Sequence, residues 1–148
     1  MCQRGLKLIL ISERYFDFKN KKVLVTGASK GLGWVCANIL AGLGAQLVCS
    51  GRNKESLQKL KESFSNPNQH MIFAGDLIDP KVISELVSKG EEFLGGIDIV
   101  LHVLGGGYGF RDPLLPWEQL DTLHKVNVGV AAEINRLIVP EMIKRKSG

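Results

Sequence analysis

A glycine-rich turn between an apolar strand and a helix is the feature of this sequence that most constrains its fold. Residues 26–33 read Thr-Gly-Ala-Ser-Lys-Gly-Leu-Gly and follow the apolar run Val23-Leu24-Val25. The next residues, 34–41, are typical of a helix. A strand, a glycine-rich turn and a helix in this order are typical of an element that binds a dinucleotide.

Each glycine of this turn has a predicted task. Gly27 lets the chain turn tightly, Gly31 lets the backbone approach a pyrophosphate, and Gly33 lets the helix pack close to the strand. The helix N-terminus offers unpaired N–H groups and a partial positive charge to phosphates. The predicted contacts from this turn are Gly27, Ser29, Lys30, Gly31, Leu32 and Gly33.

Strands and helices alternate along the rest of the chain, which predicts an α/β fold with a doubly wound parallel sheet. Right-handed crossovers then give the strand order 3-2-1-4. The predicted strands are 22–26, 46–50, 70–74 and 97–104. The predicted helices are 31–43, 54–64, 80–93 and 117–144, the last with a kink near Pro140.

Composition narrows the function classes. The 148 residues suit one domain, and the net charge of +4 is spread among acids rather than gathered in a basic patch with interleaved aromatics. We therefore expect no nucleic-acid partner. No apolar run is long enough to span a bilayer, so we expect no membrane partner either.

The cysteines and histidines indicate neither a disulfide framework nor a metal site, because both sets are widely dispersed. We therefore expect no metal and a reducing, cytoplasmic location. The cysteines are Cys2, Cys36 and Cys49, and the histidines are His70, His102 and His124.

The Gly-x-x-x-Gly-x-Gly spacing, with Thr26 before it, resembles the short-chain dehydrogenase/reductase family from about Phe16 to the C-terminus. The resemblance implies a Rossmann-type NAD(P)-binding domain at 16–148 and an N-terminal extension at 1–15. Family members run to roughly 250 residues. Their catalytic Ser and Tyr-x-x-x-Lys come after the point at which this sequence stops, so we expect the C-terminal strands of the family fold to be missing.

The end of the second strand bears on cofactor choice. In an NAD-specific fold an acidic residue here accepts hydrogen bonds from the ribose hydroxyls. This chain has Ser50-Gly51-Arg52 instead, and a guanidinium can bind a 2′-phosphate through two hydrogen bonds. With Lys30 nearby, the pattern resembles the family members that prefer NADP(H). A solvated loop arginine is the alternative.

Two further positions are expected to contact the cofactor. By resemblance, Asp76 accepts a hydrogen bond from the adenine amine and Leu77 packs on the base, while a carboxylate that only caps a turn is the alternative. His102-Val103-Leu104-Gly105 stands where the family usually has Asn-Asn-Ala-Gly. Only Gly105 matches, where the backbone would lie against the cofactor, and His102 is interpreted as a structural histidine.

Asn127 is the catalytic candidate, since it matches a helix asparagine that supports the family's proton relay. Tyr15 and Lys19 have the catalytic Tyr-x-x-x-Lys spacing but precede the first strand, so we interpret them as coincidence. Tyr108, Phe110 and Arg111 follow the fourth strand. They either line a substrate cleft or pack the loop onto the sheet.

The expected function is the NADP(H)-binding portion of an oxidoreductase that transfers hydride between NADP(H) and a small carbonyl or alcohol substrate. The chain alone is expected to be inactive and to self-associate through the open edge of its fourth strand. A non-catalytic NADP(H)-binding or interaction module is the alternative.

Overall fold

Four parallel strands form one sheet in the order β3-β2-β1-β4. The computed structural model describes residues 17–148, so the 1–15 extension, Cys2 and Tyr15 lie outside the described residues. The strands are β1 (Lys22–Val25), β2 (Gln46–Gly51), β3 (Met71–Ala74) and β4 (Ile99–Leu101). Val23 pairs with Leu47 on one side and with Ile99 on the other. The predicted α/β class and strand order are confirmed.

Local signals in the sequence explain where the helices begin and end. The Asn53 side chain accepts a 2.6 Å hydrogen bond from Ser56 N, and Asp79 accepts one of 2.9 Å from Lys81 N. Gly95, with φ +68°, ends the third helix in a left-handed conformation. The helices are α1 (Gly31–Gly42), α2 (Lys54–Glu62), α3 (Pro80–Leu94), α4 (Trp117–His124) and α5 (Val130–Arg145), with a 3₁₀ turn at Pro67–Gln69.

The two faces of the sheet have separate apolar cores, as alternating strand residues require. Leu24 points into a core that α3 and α5 cover, with Leu86 and Ile134 fully buried there. Its neighbours Val23 and Val25 belong to the opposite core, under α1 and α2. This doubly wound packing brings the carboxyl ends of all four strands to one edge.

The fourth strand is shorter than predicted. The sequence pattern indicated 97–104, but β4 spans only Ile99–Leu101. Beyond it, the N–H groups of Val103 and Leu104 donate to Thr26 Oγ1 at 3.1 and 3.2 Å. The Thr26 side-chain oxygen therefore takes the place of the backbone hydrogen bonds that a longer strand would make. The apolar character of this segment alone does not predict such a replacement.

The predicted long helix is divided by a turn that the sequence pattern did not indicate. Pro140 lies within a continuous α5, whereas a π-helical turn at Lys125–Gly129 separates α4 from α5. Within this turn, Asn127 Nδ2 donates to Leu123 O at 2.8 Å. A side chain that bonds the carbonyl four residues back competes with the backbone and distorts a helix.

Candidate cofactor-binding cleft

A cleft of about 660 Å³ opens where the strands end. Open α/β sheets bind ligands at this edge. All ten residues that the sequence predicted to contact a cofactor line this cleft: Gly27, Ser29, Lys30, Gly31, Leu32, Gly33, Arg52, Asp76, Leu77 and Gly105. The fold therefore collects in one cleft residues that are up to 78 positions apart, from Gly27 to Gly105.

The three glycines of the β1–α1 turn differ in their surroundings. A Cβ on Gly27, where φ is +69°, would lie 2.9 Å from Leu104 N, and one on Gly33 would lie 2.8 Å from the Gly27 carbonyl carbon. Gly31 has φ +60° but no atom within 4 Å of an added Cβ. Gly27 and Gly33 are thus required by packing within the protein, and Gly31 faces open space in the cleft.

The N-terminus of α1 is free to bind an anion. Lys30 precedes it without a capping hydrogen bond from its side chain, and the first turn contains no acidic residue. The backbone N–H groups of such a turn carry partial positive charge. The Lys30 side chain is exposed beside them. The turn combines these donors with the open space at Gly31, so it fits a pyrophosphate.

Arg52, Asp76 and Tyr108 form a connected group at the other end of the cleft. The Arg52 guanidinium carbon lies 4.6 Å from the centroid of the Tyr108 ring. The Tyr108 hydroxyl donates to Asp76 Oδ2. This hydrogen bond is the main reason that the pKa of Tyr108 lies above its usual value. The structure thus answers the question that the sequence left open: Tyr108 both lines the cleft and fastens its loop.

The residues around this group complete the picture. Asp76 Oδ1 accepts a hydrogen bond of 3.2 Å from Ile78 N, as a turn-capping carboxylate does. Leu77 is only 3 % exposed and packs in the core with Leu24. Arg111 also lines the cleft, whereas the Phe110 ring packs 6.2 Å from that of Tyr108.

Asn127 does not line the cleft with the other predicted residues but anchors the loop that follows β4. Its Oδ1 accepts from Gly106 N at 2.8 Å, and its Nδ2 donates to Gly106 O at 3.1 Å. A Cβ on Gly105 would lie 2.9 Å from the same Oδ1. Gly105 therefore lets Asn127 approach the loop backbone. The amide donors of Asn127 are both used, one on Gly106 O in the loop and one on Leu123 O in the helix.

Thr26 entered the sequence analysis only as part of the glycine motif, with no role predicted for its side chain. It is fully buried, and its hydroxyl oxygen ties the end of β1 to the segment after β4 through Val103 and Leu104. A hydroxyl at the end of an otherwise apolar strand is the signal that points to it. Because a buried polar group needs partners, such a residue has to bond across the sheet.

Among the residues that the structure describes, none of the histidines and cysteines lines the cleft. His102 Nε2 lies 2.9 Å from Asn135 Oδ1, in agreement with a structural histidine. His70 is buried, its Nδ1 accepts from Leu47 N at 3.2 Å, and burial lowers its pKa. Burial also raises the pKa of the Cys49 thiol to about 12.

Within residues 17–148, no group of three or more His, Cys, Asp or Glu side chains is arranged to hold a metal ion. None of the helices in that same range is both long and apolar enough to cross a membrane.

Comparison with known proteins agrees with this architecture. The family model described as short chain dehydrogenase matches residues 21–148. A short chain dehydrogenase from Pseudocercospora fijiensis is 33% identical over 137 residues, which cover 89% of this chain and 44% of that protein. An uncharacterized oxidoreductase from Staphylococcus aureus is 28% identical over 129 residues, covering 87% of this chain and 55% of the relative.

Solved structures show the same fold. A short chain dehydrogenase from Bacillus anthracis superposes with a TM-score of 0.78 at 26% identity, covering 86% of this chain and 54% of that one. A 7α-hydroxysteroid dehydrogenase, complexed with NADH and 7-oxo glycochenodeoxycholic acid, gives 0.80 at 26% identity, with 86% and 50% covered.

The sheet order and the glycine-lined cleft define a Rossmann-type nucleotide-binding protein. The chain belongs to the short-chain dehydrogenase family, whose members are oxidoreductases that bind a nicotinamide cofactor. It spans about half the length of the curated relatives that it matches, between 44% and 55% for the two named above.

Proposed function

We propose that this chain is the NADP(H)-binding portion of an oxidoreductase that transfers hydride between NADP(H) and a small carbonyl or alcohol substrate. The observation that carries the cofactor preference is Arg52, which follows β2 directly and lines the cleft with no carboxylate among residues 50–53. Lys30 lines the same cleft from the α1 side. Two cations in the cleft, with no acid at the end of β2, favour a 2′-phosphate over a free ribose hydroxyl.

Each part of the cleft has a role in this proposal. The turn at Gly31 and the first N–H groups of α1 bind the pyrophosphate, and Arg52 with Lys30 binds the 2′-phosphate. Asp76 accepts a hydrogen bond from the adenine amine, with Leu77 beside the base. Bound NADP(H) supplies the hydride. Gly105 and Asn127 shape the loop that borders the nicotinamide end.

The chain by itself is proposed to be inactive, because carbonyl reduction also needs a proton donor whose pKa is near the working pH. Of its two tyrosines, Tyr108 is followed four residues later by Asp112 rather than Lys, and Tyr15 precedes β1. An amide such as that of Asn127 does not titrate in the useful range. Loss of general acid catalysis costs roughly 10²–10⁴-fold in rate. The proposed location is the cytoplasm.

Fluorescence titration with NADPH and NADH tests the cofactor preference. We expect tighter binding of NADPH, with the difference reduced by about tenfold in Arg52→Ala, since one charge-assisted hydrogen bond contributes about 1.5–3 kcal/mol. Lys59→Ala is the matched control, because Lys59 is an exposed cation on α2 away from the cleft. Equal affinities of the unmodified chain for the two cofactors would overturn the preference.

An assay of NADPH oxidation with ketones, quinones and aldehydes tests the proposed inactivity. The matched variants are Gly31→Val, which places a side chain in the cleft, and Gly42→Val at the exposed end of α1. We expect no turnover from any of the three proteins. Steady turnover that disappears only in Gly31→Val would show that the chain is catalytic as it stands.

A further inference from the structure

Tyr108 connects the ends of two neighbouring strands although it belongs to neither. Its ring lies against Arg52, which follows β2, and its hydroxyl donates to Asp76, which follows β3. The side chain comes from the loop after β4, on the far side of β1. It thus spans the cleft end at which the 2′-phosphate is proposed to bind.

The backbone at Tyr108 is held in a conformation that a side chain rarely adopts. Its φ is +52°, and it is flanked by Gly106 and Gly109, with φ +105° and +94°. A non-glycine residue in the left-handed region is strained, and such strain concentrates where function requires a particular side chain. The glycines around it restrain the loop little, so contacts of the ring and hydroxyl determine where Tyr108 lies.

Tyr108 contacts Arg52 through its ring and also through its hydroxyl, since a hydrogen bond with Arg52 and the charge of Arg52 both lower the pKa of Tyr108. A guanidinium that stacks on an aromatic face keeps its N–H donors directed outward in its own plane. In the described part of the chain, the ion pairs within 4.0 Å join other residues, and Arg52 is in none of them. A guanidinium has five N–H donors, so the donors that Tyr108 does not use remain available to an anion in the cleft.

The hydroxyl contact keeps the neighbouring acid occupied. Asp76 Oδ2 accepts from Tyr108 and Oδ1 from Ile78 N, so neither oxygen needs Arg52 as its partner. Without the Tyr108 side chain, the carboxylate and the guanidinium at adjacent strand ends are free to pair with each other. Such a pair would neutralise the cation that distinguishes the two cofactors.

We propose that Tyr108 is a positioning residue that determines cofactor specificity, because it holds Arg52 toward a 2′-phosphate and separates it from Asp76. The inference rests on the proposed NADP(H) function. It adds a determinant of cofactor specificity outside the two segments that are proposed to contact the phosphates, the β1–α1 turn and the end of β2. The measurable quantity is the ratio of the NADH and NADPH dissociation constants. Contacts to adenine and pyrophosphate, which the two cofactors share, cancel in this ratio.

Three variants of the full chain test the inference by fluorescence titration. Tyr108→Leu is expected to lower the ratio about fivefold by weakening NADPH binding alone, since an exposed cation–π contact and a freed ion pair are each worth a few-fold. Tyr108→Phe keeps the ring, and most of the ratio is expected to remain. Phe110→Leu, the matched aromatic change in the same loop, is expected to leave the ratio unchanged.

A double variant tests whether Tyr108 acts by keeping Asp76 away from Arg52 or only by stabilising the loop. If freed Asp76 captures Arg52, adding Asp76→Asn to Tyr108→Leu restores part of the ratio, whereas a merely structural role of Tyr108 gives no rescue. If Tyr108→Leu has the same ratio as the unmodified chain, or binds both cofactors more tightly by the same factor, this inference is wrong while the proposed NADP(H) preference still stands. A ratio near one in the unmodified chain would overturn the proposed NADP(H) preference and this inference with it.

Discussion

The two sides of the cleft are built by different means. On one side, the β1–α1 turn is fixed by backbone packing, since added side chains at Gly27 or Gly33 would meet main-chain atoms. On the other, the loop after β4 is positioned by side chains: the Thr26 hydroxyl, the Asn127 amide and the Tyr108 phenol.

The strands beneath the two sides of the cleft differ in how deeply their residues are buried. The apolar residues of β1 and β2 are all fully buried, whereas all three residues of β4 are half-buried. We therefore expect substitutions in the turn to destabilise the whole fold, and substitutions in the loop to act locally.

The largest effect is expected from Gly33→Ala. Its Cβ would overlap the Gly27 carbonyl, which is backbone and cannot rotate away. We expect a loss of about 3 kcal/mol in the free energy of unfolding, measured by urea denaturation. Gly42→Ala, with open space around its Cβ, is the control and should change stability by less than about 1 kcal/mol. Similar stabilities for the two variants would show that packing does not fix the turn.

Thr26→Val tests the side-chain connection at its buried end. The change keeps the shape but leaves the N–H groups of Val103 and Leu104 without their acceptor, which costs about 1–3 kcal/mol. Thr26→Ser retains the hydroxyl and should preserve most of the stability. Urea denaturation measures both variants, and a stability of Thr26→Val equal to that of the unmodified chain would show that the hydroxyl connection contributes nothing.

Asn127→Ala is expected to loosen the loop with a smaller effect on global stability, about 1 kcal/mol, because the lost hydrogen bonds are exposed to water. Hydrogen exchange at the Gly106 amide should accelerate, while exchange in β1 stays unchanged. Asn127→Asp keeps an acceptor for Gly106 N but cannot donate to Gly106 O. Intermediate protection is expected there, and exchange as slow as in the unmodified chain would contradict the anchoring role.

His70 makes the free energy of unfolding depend on pH. Its pKa in the folded protein lies below the usual 6.5, mainly because burial disfavours the charged ring and secondarily because of Lys61. The unfolded chain therefore binds more protons as the pH falls, so this stabilisation is present above about pH 6.5 and is lost below it. Denaturation midpoints between about pH 8 and pH 5.5 measure the loss.

His70→Asn is the matched variant for that titration, because its amide oxygen can accept from Leu47 N without ionising. It should flatten the part of the pH dependence that His70 causes. An unchanged pH profile in this variant would assign the dependence to other groups.

The smallest effect concerns thiol reactivity. Cys49 is fully buried in β2, and burial raises its thiol pKa to about 12, whereas Cys36 on α1 is partly exposed. In a Cys2→Ser background, a maleimide should label Cys36 in the native protein and Cys49 only after unfolding. Rapid native labelling of Cys49 would show that the β2 side opens more readily than its burial implies.

Much of the fold could be predicted from the sequence because its signals are local. Gly44 follows the end of α1, Asn53 caps α2, and Asp79 and Gly95 mark the beginning and the end of α3. Strand alternation and handed crossovers then fixed the sheet order. The two largest departures are the short β4 and the π-helical turn inside the predicted long helix. Both arise where Thr26 or Asn127 replaces a regular backbone bond.

The amino-acid pattern by itself determined the glycine turn, the α/β class and which residues meet in one cleft. The strand ends of such a sheet converge regardless of the conformations of the loops. Only the tertiary structure decided that Tyr108 joins Arg52 to Asp76, and that Thr26 and Asn127 hold the loop after β4. Thr26 and Val103 are 77 residues apart, and Tyr108 and Asp76 are 32 apart. Contacts at such separations depend on how the chain returns to the sheet, which no local pattern records.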